Sequence, residues 1–214
     1  MNRKITILTA AAMGGLGLAG AAGLATGTGA AATAADAESR AGYTVDLVHS
    51  NILFMIRRAN VSNFYGRFND FSGEFHIDED NPSASYFRAE IDVASVDTGN
   101  NGRDRHLRNA DFFNVPQYPK ATFESTGFRE TGRDGIYELT GTMTLHGQTN
   151  PVTAEVEYFG TSAFNNQDLQ AFEARFAIKR ADFGITQYLP ADGGDNGALS
   201  NTVELIISVN GVAN

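Results

Sequence analysis

The residues with the clearest chemical potential form one short charged run, Arg103-Asp104-Arg105-His106-Leu107-Arg108. An aspartate close to a histidine suggests acid–base chemistry, and Arg103 and His106 would share one face of a helix. No serine or cysteine nucleophile with a partnering signature lies nearby. The favoured interpretation is structural: the arginines and the aspartate attach a short helix to strand ends through charge-assisted hydrogen bonds. A hydrolytic or redox enzyme that uses the Arg103–His106 region is the alternative hypothesis.

The sequence predicts no metal site and no bound cofactor. Its four histidines, His49, His76, His106 and His146, are scattered and lack the HExxH or HxH spacing that brings zinc ligands together. The acidic segment from Asp192 to Asp195 lacks the ligand spacing of an EF-hand calcium loop. The chain has no cysteine, which excludes disulfides and thiol chemistry.

Alternation of apolar and polar residues dominates the chain from Tyr43 onward. One apolar face and one polar face is typical of antiparallel sheets. Turn-forming residues recur at intervals of roughly ten to fifteen residues, which suits a meander closed into a barrel or a sandwich. Only Gly102 to Asn109 is predicted to be helical, with Asn101 as its N-cap. The predicted fold class is all-β, an antiparallel β-barrel with one short helix.

The charge of the chain excludes some classes of partner. The formal net charge is −9, with 25 acidic and 16 basic residues. A chain this acidic is not expected to bind nucleic acid, and anionic membrane surfaces should repel it.

The first residues have the pattern of an export signal. Asn2-Arg3-Lys4 forms a positively charged n-region, and residues 5–25 are apolar or small. Small-x-small cleavage sites follow. We therefore predict a Sec-type signal peptide at residues 1–37 and one domain at residues 38–214, periplasmic or secreted. The alternative is an uncleaved anchor, but the many Gly and Ala residues make this segment weakly hydrophobic. After cleavage we expect no stable membrane insertion.

The inward faces of the predicted strands carry both large aromatic residues and very small residues. Fifteen phenylalanines and seven tyrosines are accompanied by Ala89, Gly141, Ala154 and Ala174 on the same faces. A closed barrel of about eight strands can be filled by side chains or can hold one small ligand. A thin hydrocarbon would suit such a space, because each buried methylene contributes about 0.8 kcal/mol. A packed core shows the same alternation, so an exported stress-response or adhesion module remains an alternative.

Five motifs occur in a fixed order along the chain. They are Asp46-Leu-Val-His-Ser50, the Phe-rich segment from Val61 to Gly73, the polar stretch from Asp97 to Thr126, the segment from Leu139 to Val152, and Arg180-Ala-Asp-Phe-Gly184. In this order they closely resemble the YceI-like family, from about Tyr43 to Val212. The resemblance implies a periplasmic, lipocalin-like barrel whose apolar tunnel holds an isoprenoid, quinone-like or other amphiphilic molecule. It implies no established enzymatic reaction.

Within such a barrel the alternation predicts which side chains line the tunnel. The predicted ligand-binding residues are Phe54, Phe68, Phe71, Phe87, Ile91, Phe112, Phe113, Phe123, Leu139, Met143, Phe176, Phe183 and Leu205. The ligand would be a non-covalently bound polyisoprenoid or quinone-like lipid, held by desolvation of its tail with little electrostatic contribution. The helix would cover the barrel, with Leu107 also touching the ligand. We expect a binding protein rather than an enzyme, and a homodimer is left open.

Overall fold

A computed structural model describes residues 42–214; the predicted signal peptide, residues 1–37, lies outside the described residues. Eleven strands make up most of the fold. They are β1 (Tyr43–Val45), β2 (Asn51–Arg58), β3 (Ser62–Phe68), β4 (Phe71–His76), β5 (Tyr86–Asp92), β6 (Val96–Asp97), β7 (Lys120–Arg133), β8 (Ile136–Leu145), β9 (Gln148–Phe164), β10 (Gln167–Lys179) and β11 (Leu199–Ala213). One α-helix, α1 (Asn101–Arg108), and short 3-10 turns at Pro82–Ala84, Val93–Ser95 and Arg180–Phe183 complete the described elements.

Eight of the strands form a closed antiparallel barrel in the order β1-β4-β5-β7-β8-β9-β10-β11, and β1 pairs with β11 to close it. β2 pairs with the same edge of β11 as β1 does, but further towards the start of β11, where Ile56 lies opposite Val203. β3 and β6 extend the sheet beyond β2. The prediction of an all-β, lipocalin-like antiparallel barrel with one short helix is confirmed.

The alternation in the sequence corresponds to an inside and an outside. In β9 the side chains of Ala154, Val156 and Tyr158 are buried, whereas Glu155 and Glu157 between them are exposed. Successive side chains of a strand point to opposite faces of the sheet, so the apolar set of each strand turns inward. Two clusters of buried residues form the core, one around Phe75, Phe87 and Phe172, the other around Val93, Phe183 and Leu205.

The helix α1 begins one residue before its predicted start. The side chain of Asn100, rather than Asn101, caps it by accepting a hydrogen bond from the backbone N–H of Arg103 at 3.0 Å. The helix ends at Arg108 because Asn109 already has an extended backbone. Within residues 42–214, no helix is long and apolar enough to cross a membrane.

Candidate functional site

The barrel encloses a cavity of about 240 Å³ whose accessible wall is almost entirely hydrocarbon. Twelve of the thirteen residues predicted to line a tunnel do line this cavity: Phe54, Phe68, Phe71, Phe87, Ile91, Phe112, Phe113, Phe123, Leu139, Met143, Phe176 and Leu205. Phe183 is only 1% exposed and packs in the second core cluster, and it is not among the lining residues. Contact of any of these thirteen residues with a ligand stays a prediction.

Several lining residues were not singled out from the sequence. Ile56 and Phe64 face each other across β2 and β3 and line the same cavity. Both follow the two-residue period of Phe54 and Phe68, so the alternation could have identified them. Leu199 also lines the cavity, but it starts β11 after a long loop, and no local pattern indicates its direction.

Two glycines make room for the large rings of the wall. A Cβ atom on Gly66 would lie 2.3 Å from the Phe54 ring, and one on Gly141 would lie 2.4 Å from the Phe123 ring. The tips of these aromatic rings therefore occupy the space that a side chain at each glycine would need.

Small side chains keep the middle of the barrel open. Ala89, Ala154 and Ala174 all line the cavity from β5, β9 and β10. Each presents a single methyl group where a neighbouring inward position carries a larger side chain. The cavity is thus a product of side-chain size on strands whose backbones are regularly paired.

We call the part of the lining formed by Ile56, Phe64, Arg103, Leu107 and Leu199 the mouth, because none of these five residues is buried. Arg103 is an exposed residue of α1, and its guanidinium carbon lies 4.3 Å from the centre of the Phe64 ring. A guanidinium over an aromatic face is attracted by the ring quadrupole. Its Nε and Nη2 donate to the hydroxyl and the carbonyl of Thr98 at 2.8 and 2.7 Å.

The charged run around α1 fastens this helix to the barrel. Arg108 donates from Nε to the carbonyl of Ala94 at 2.7 Å and from Nη2 to the carbonyl of Val96 at 2.9 Å. Asp104 is buried and accepts from the backbone N–H and the hydroxyl of Thr98. The structural interpretation of this run is confirmed for Arg108 and Asp104.

His106, the centre of the enzyme hypothesis, lies in an aromatic setting. Its Nε2 is 3.0 Å from a carboxylate oxygen of Asp111, and its ring meets Phe112 edge to face with 5.1 Å between centroids. Tyr188 approaches both rings, at 6.3 and 6.1 Å. Within residues 42–214, no hydroxyl group hydrogen-bonds to His106.

A second segment beside the mouth, residues 184–199, is held by Arg180. This side chain is only 4% exposed, and its guanidinium donates to the carbonyls of Ile185, Gln187, Leu199 and Ser200. These acceptors lie at both ends of the segment, so one side chain fastens its two ends together. Burial lowers the pKa of Arg180, because desolvation disfavours the charged form.

Asp195 fastens the far part of the same segment. Its carboxylate accepts from the backbone N–H and hydroxyl of Thr202 at 2.6 and 2.8 Å and from the ammonium of Lys179 at 3.1 Å. Burial alone would raise the pKa of Asp195, but the hydrogen bonds from Thr202 and the charge of Lys179 outweigh it and lower the pKa. The backbone N–H of Ala59, at the tip of the β2–β3 hairpin, donates to the carbonyl of Ala198 at 3.0 Å.

The possible metal-ligating side chains of the described residues do not converge on one point. Among residues 42–214, no group of three or more histidine, aspartate or glutamate side chains is arranged to hold an ion. His49 pairs with Asp46 at the surface, and His146 bonds the carbonyl of Phe183 at 3.0 Å.

A closed antiparallel barrel around an apolar cavity, with a helix at the mouth, defines a class of small ligand-holding barrels. Within that class the chain belongs to the YceI-like family, because the family model of the YceI-like domain matches residues 43–211. The protein YceI of Salmonella newport is 43% identical over 165 residues, covering 77% of this chain and 82% of that protein.

Solved structures show the same fold. BcnA of Burkholderia cenocepacia is 25% identical, with a TM-score of 0.69 over 78% of this chain and 98% of the other. A polyisoprenoid binding domain from Saccharophagus degradans is 19% identical, with a TM-score of 0.62 over 82% of this chain and all of that domain. At that identity the second likeness concerns the fold alone.

Proposed function

We propose that this protein binds an isoprenoid or quinone-like amphiphile, with the tail in the barrel cavity, and sequesters or carries it outside the cytoplasm. The observation that carries the proposal is the enclosed cavity of about 240 Å³ with a hydrocarbon wall. An apolar wall has nothing to offer a sugar or a peptide, whereas ten buried carbons of a tail contribute roughly 8 kcal/mol. The ligand class is the one that membership of the YceI-like family implies, and a polyisoprenoid binding domain shares the fold.

The size of the cavity limits the shape of the ligand. Small-molecule pockets commonly measure roughly 300–1,000 Å³, so this cavity takes only a slender molecule. A linear chain of isoprene units, with one methyl group on each unit, is slender and flexible. A long tail would extend from the cavity through the mouth, with its head group at or beyond Arg103.

The proposed setting is the periplasm or the cell exterior, reached through the predicted Sec-type signal peptide. A lipid that is insoluble in water needs a protein container to leave a membrane. Neither nucleic acid nor a stable insertion of the mature protein into a membrane belongs to this function. The protein would act by binding, without catalysis by the Arg103–His106 region.

Native mass spectrometry of protein purified from its own compartment without detergent tests the proposal. The expected result is a stoichiometric extra mass that solvent extraction identifies as an isoprenoid or quinone. A protein that is empty and also takes up no added polyprenyl lipid would indicate the packed-core module instead.

A pair of variants on β8 locates the ligand. Met143 lines the cavity, whereas the neighbouring Thr142 is exposed on the outer face. Met143→Arg places a charge in the apolar wall and should abolish lipid retention, whereas Thr142→Arg adds the same charge outside and should retain lipid as the wild type does. Circular dichroism checks that both variants are folded. Retention by the Met143 variant at the wild-type level would contradict the assignment of this strand.

A further inference from the structure

The arginine and lysine side chains of the described residues fall into two sets. In residues 42–214, seven basic side chains form ion pairs with carboxylates: Arg67, Arg88, Lys120, Arg129, Arg133, Arg175 and Lys179. Six others form no ion pair with any described carboxylate: Arg57, Arg58, Arg103, Arg105, Arg108 and Arg180. Because the chain has more acidic than basic residues, unpaired arginines are not explained by a shortage of carboxylates.

The six unpaired arginines lie on three elements: the end of β2, the helix α1 and the 3-10 turn after β10. All three elements contribute residues to the wall of the cavity, namely Ile56, Leu107 and Arg180. The ion-paired set is carried mainly by strands β3, β5, β7 and β10. The arginines without an ion-pair partner among residues 42–214 are therefore concentrated on elements that contribute to the wall of the cavity.

Two of these arginines are placed to reach a head group. Arg103 belongs to the lining, but the accessible wall of the cavity is almost entirely hydrocarbon, so its guanidinium lies at the edge of the cavity over Phe64. Within residues 42–214 its Nη1 makes no hydrogen bond, because Thr98 accepts only from Nε and Nη2. Arg58 is exposed at the end of β2 and is not a lining residue, but it follows Ile56 by two positions, so strand alternation puts it on the same face as Ile56. Arg103 stacks on Phe64, the cross-strand partner of Ile56. The two side chains thus flank one apolar pair.

The surroundings of the mouth leave this positive charge available. Asp104, the carboxylate on α1, is buried and bonded to Thr98. Asp195 is bonded to Lys179 and Thr202. Arg180 adds a buried positive charge that backbone carbonyls solvate and no carboxylate neutralises. The bonds to the carbonyls offset the cost of burying Arg180, but its positive charge is not neutralised and still attracts an anion.

We infer that Arg58 and Arg103 bind the anionic head group of the amphiphile, and that the ligand is an isoprenoid phosphate or diphosphate rather than a neutral alcohol or quinone. This inference rests on the proposed function and specifies its ligand. Guanidinium groups bind phosphate oxygens through short charge-assisted hydrogen bonds, often two at once. The tail would still be held by desolvation, but the head group adds the electrostatic contribution that the apolar sequence pattern did not indicate.

Two probes with the same tail test the head group. Geranylgeranyl monophosphate and geranylgeraniol differ only in the phosphate, and the affinity of delipidated protein for each can be measured by displacement of an apolar fluorescent probe. The expected result is that the wild type prefers the phosphate at least tenfold, and that this preference falls as salt is raised. In the double variant Arg58→Gln, Arg103→Gln the ratio of the two affinities should fall to about one.

A control variant, the relative affinity of the wild type for the two probes, and competition by inorganic phosphate decide whether the head-group inference holds. Arg129→Gln removes an arginine that is paired with Glu138, and it should keep the wild-type ratio. Equal binding of both probes by the wild type would overturn the head-group inference while leaving the proposed function intact, whereas binding of neither probe would overturn the proposed function itself. Inorganic phosphate should not displace geranylgeranyl monophosphate at comparable concentration; if it does, the site takes free phosphate and the inference fails.

Discussion

At the scale of single residues, the wall of the cavity depends on glycines that accept aromatic rings. Gly66 lies directly opposite Phe54 in the β2–β3 pairing, and the three nearest neighbours of a Cβ built there are atoms of that ring. Without a side chain at Gly66, the ring can lie along the sheet. Gly141 is diagonal to Phe123 across β7 and β8, and a Cβ there would meet the Phe123 ring and also the backbone carbonyl of Glu124. The positions of these two rings therefore require glycine at residues 66 and 141.

Replacing Gly66 with alanine should destabilise the protein through this ring alone. A Cβ at 2.3 Å from the Phe54 ring cannot be accommodated without a shift, and overpacking of this kind costs roughly 1–3 kcal/mol. The matched variant Phe54→Leu removes the obstructing atoms, so the double variant should lose less stability than the two single losses added together. Guanidinium denaturation of delipidated protein measures all four members of the cycle. Additive losses would mean that the ring does not limit this position.

At the scale of elements, the strands could be predicted from the sequence and the segments around the mouth could not. β9 and β10 pair with neighbours on both sides, so their burial follows local alternation, as at Ala154 and Val156. The segment 184–199 has no such period. Its position depends on the carbonyls that Arg180 binds and on Asp195, contacts between residues that no local pattern connects.

The hydrogen bonds that Asp195 accepts from Thr202 and Lys179, which fasten the segment 184–199, should weaken at low pH. The pKa of Asp195 is lowered in the folded protein, so the ionised carboxylate stabilises the fold above its unfolded pKa of about 3.9, and this contribution is lost as the pH falls through the lower, folded pKa. The Thr202 amide, which donates to this carboxylate, should therefore shift in NMR spectra with a midpoint below pH ~3.9.

The variant Asp195→Asn gives the control for that titration. An amide side chain keeps an oxygen acceptor for Thr202 but cannot ionise in this range. The Thr202 resonance should then stay nearly constant from pH 7 to pH 2. A wild-type midpoint at or above pH ~3.9 would show that the hydrogen bonds from Thr202 and Lys179 do not outweigh burial.

At the scale of the whole molecule, the barrel is closed by pairings that the sequence does not reveal. Tyr43 pairs with Phe75 on one side and Ala213 on the other, and these partners are far away in the chain. Alternation predicted that Phe54 and Leu205 face inward, but it could not show that they face one cavity. The resemblance to a known family supplied that step, because a family pattern encodes the closed fold as a whole.

An open cavity in an otherwise packed barrel also has an energetic consequence. Side chains around an empty space lose contacts that a ligand can restore. Any ligand that binds only the folded state adds stability as its free concentration rises above Kd. Stability should therefore report on occupancy, and the effect should depend on the alanines that leave the space open, Ala174 among them.

Delipidated protein should gain about 2.7 kcal/mol at a free geranylgeranyl monophosphate concentration of about 100 Kd. For a domain of this size the gain corresponds to a rise in Tm of roughly 5–11 °C. Ala174→Leu fills part of the cavity and should remove most of this rise, whereas Ala177→Leu, opposite Glu204 on the outer face of the same strand, should preserve it. Calorimetry of the three proteins with and without the lipid checks this. An equal rise in both variants would place the lipid outside the barrel, because only a ligand inside it competes for space with the leucine side chain introduced by Ala174→Leu.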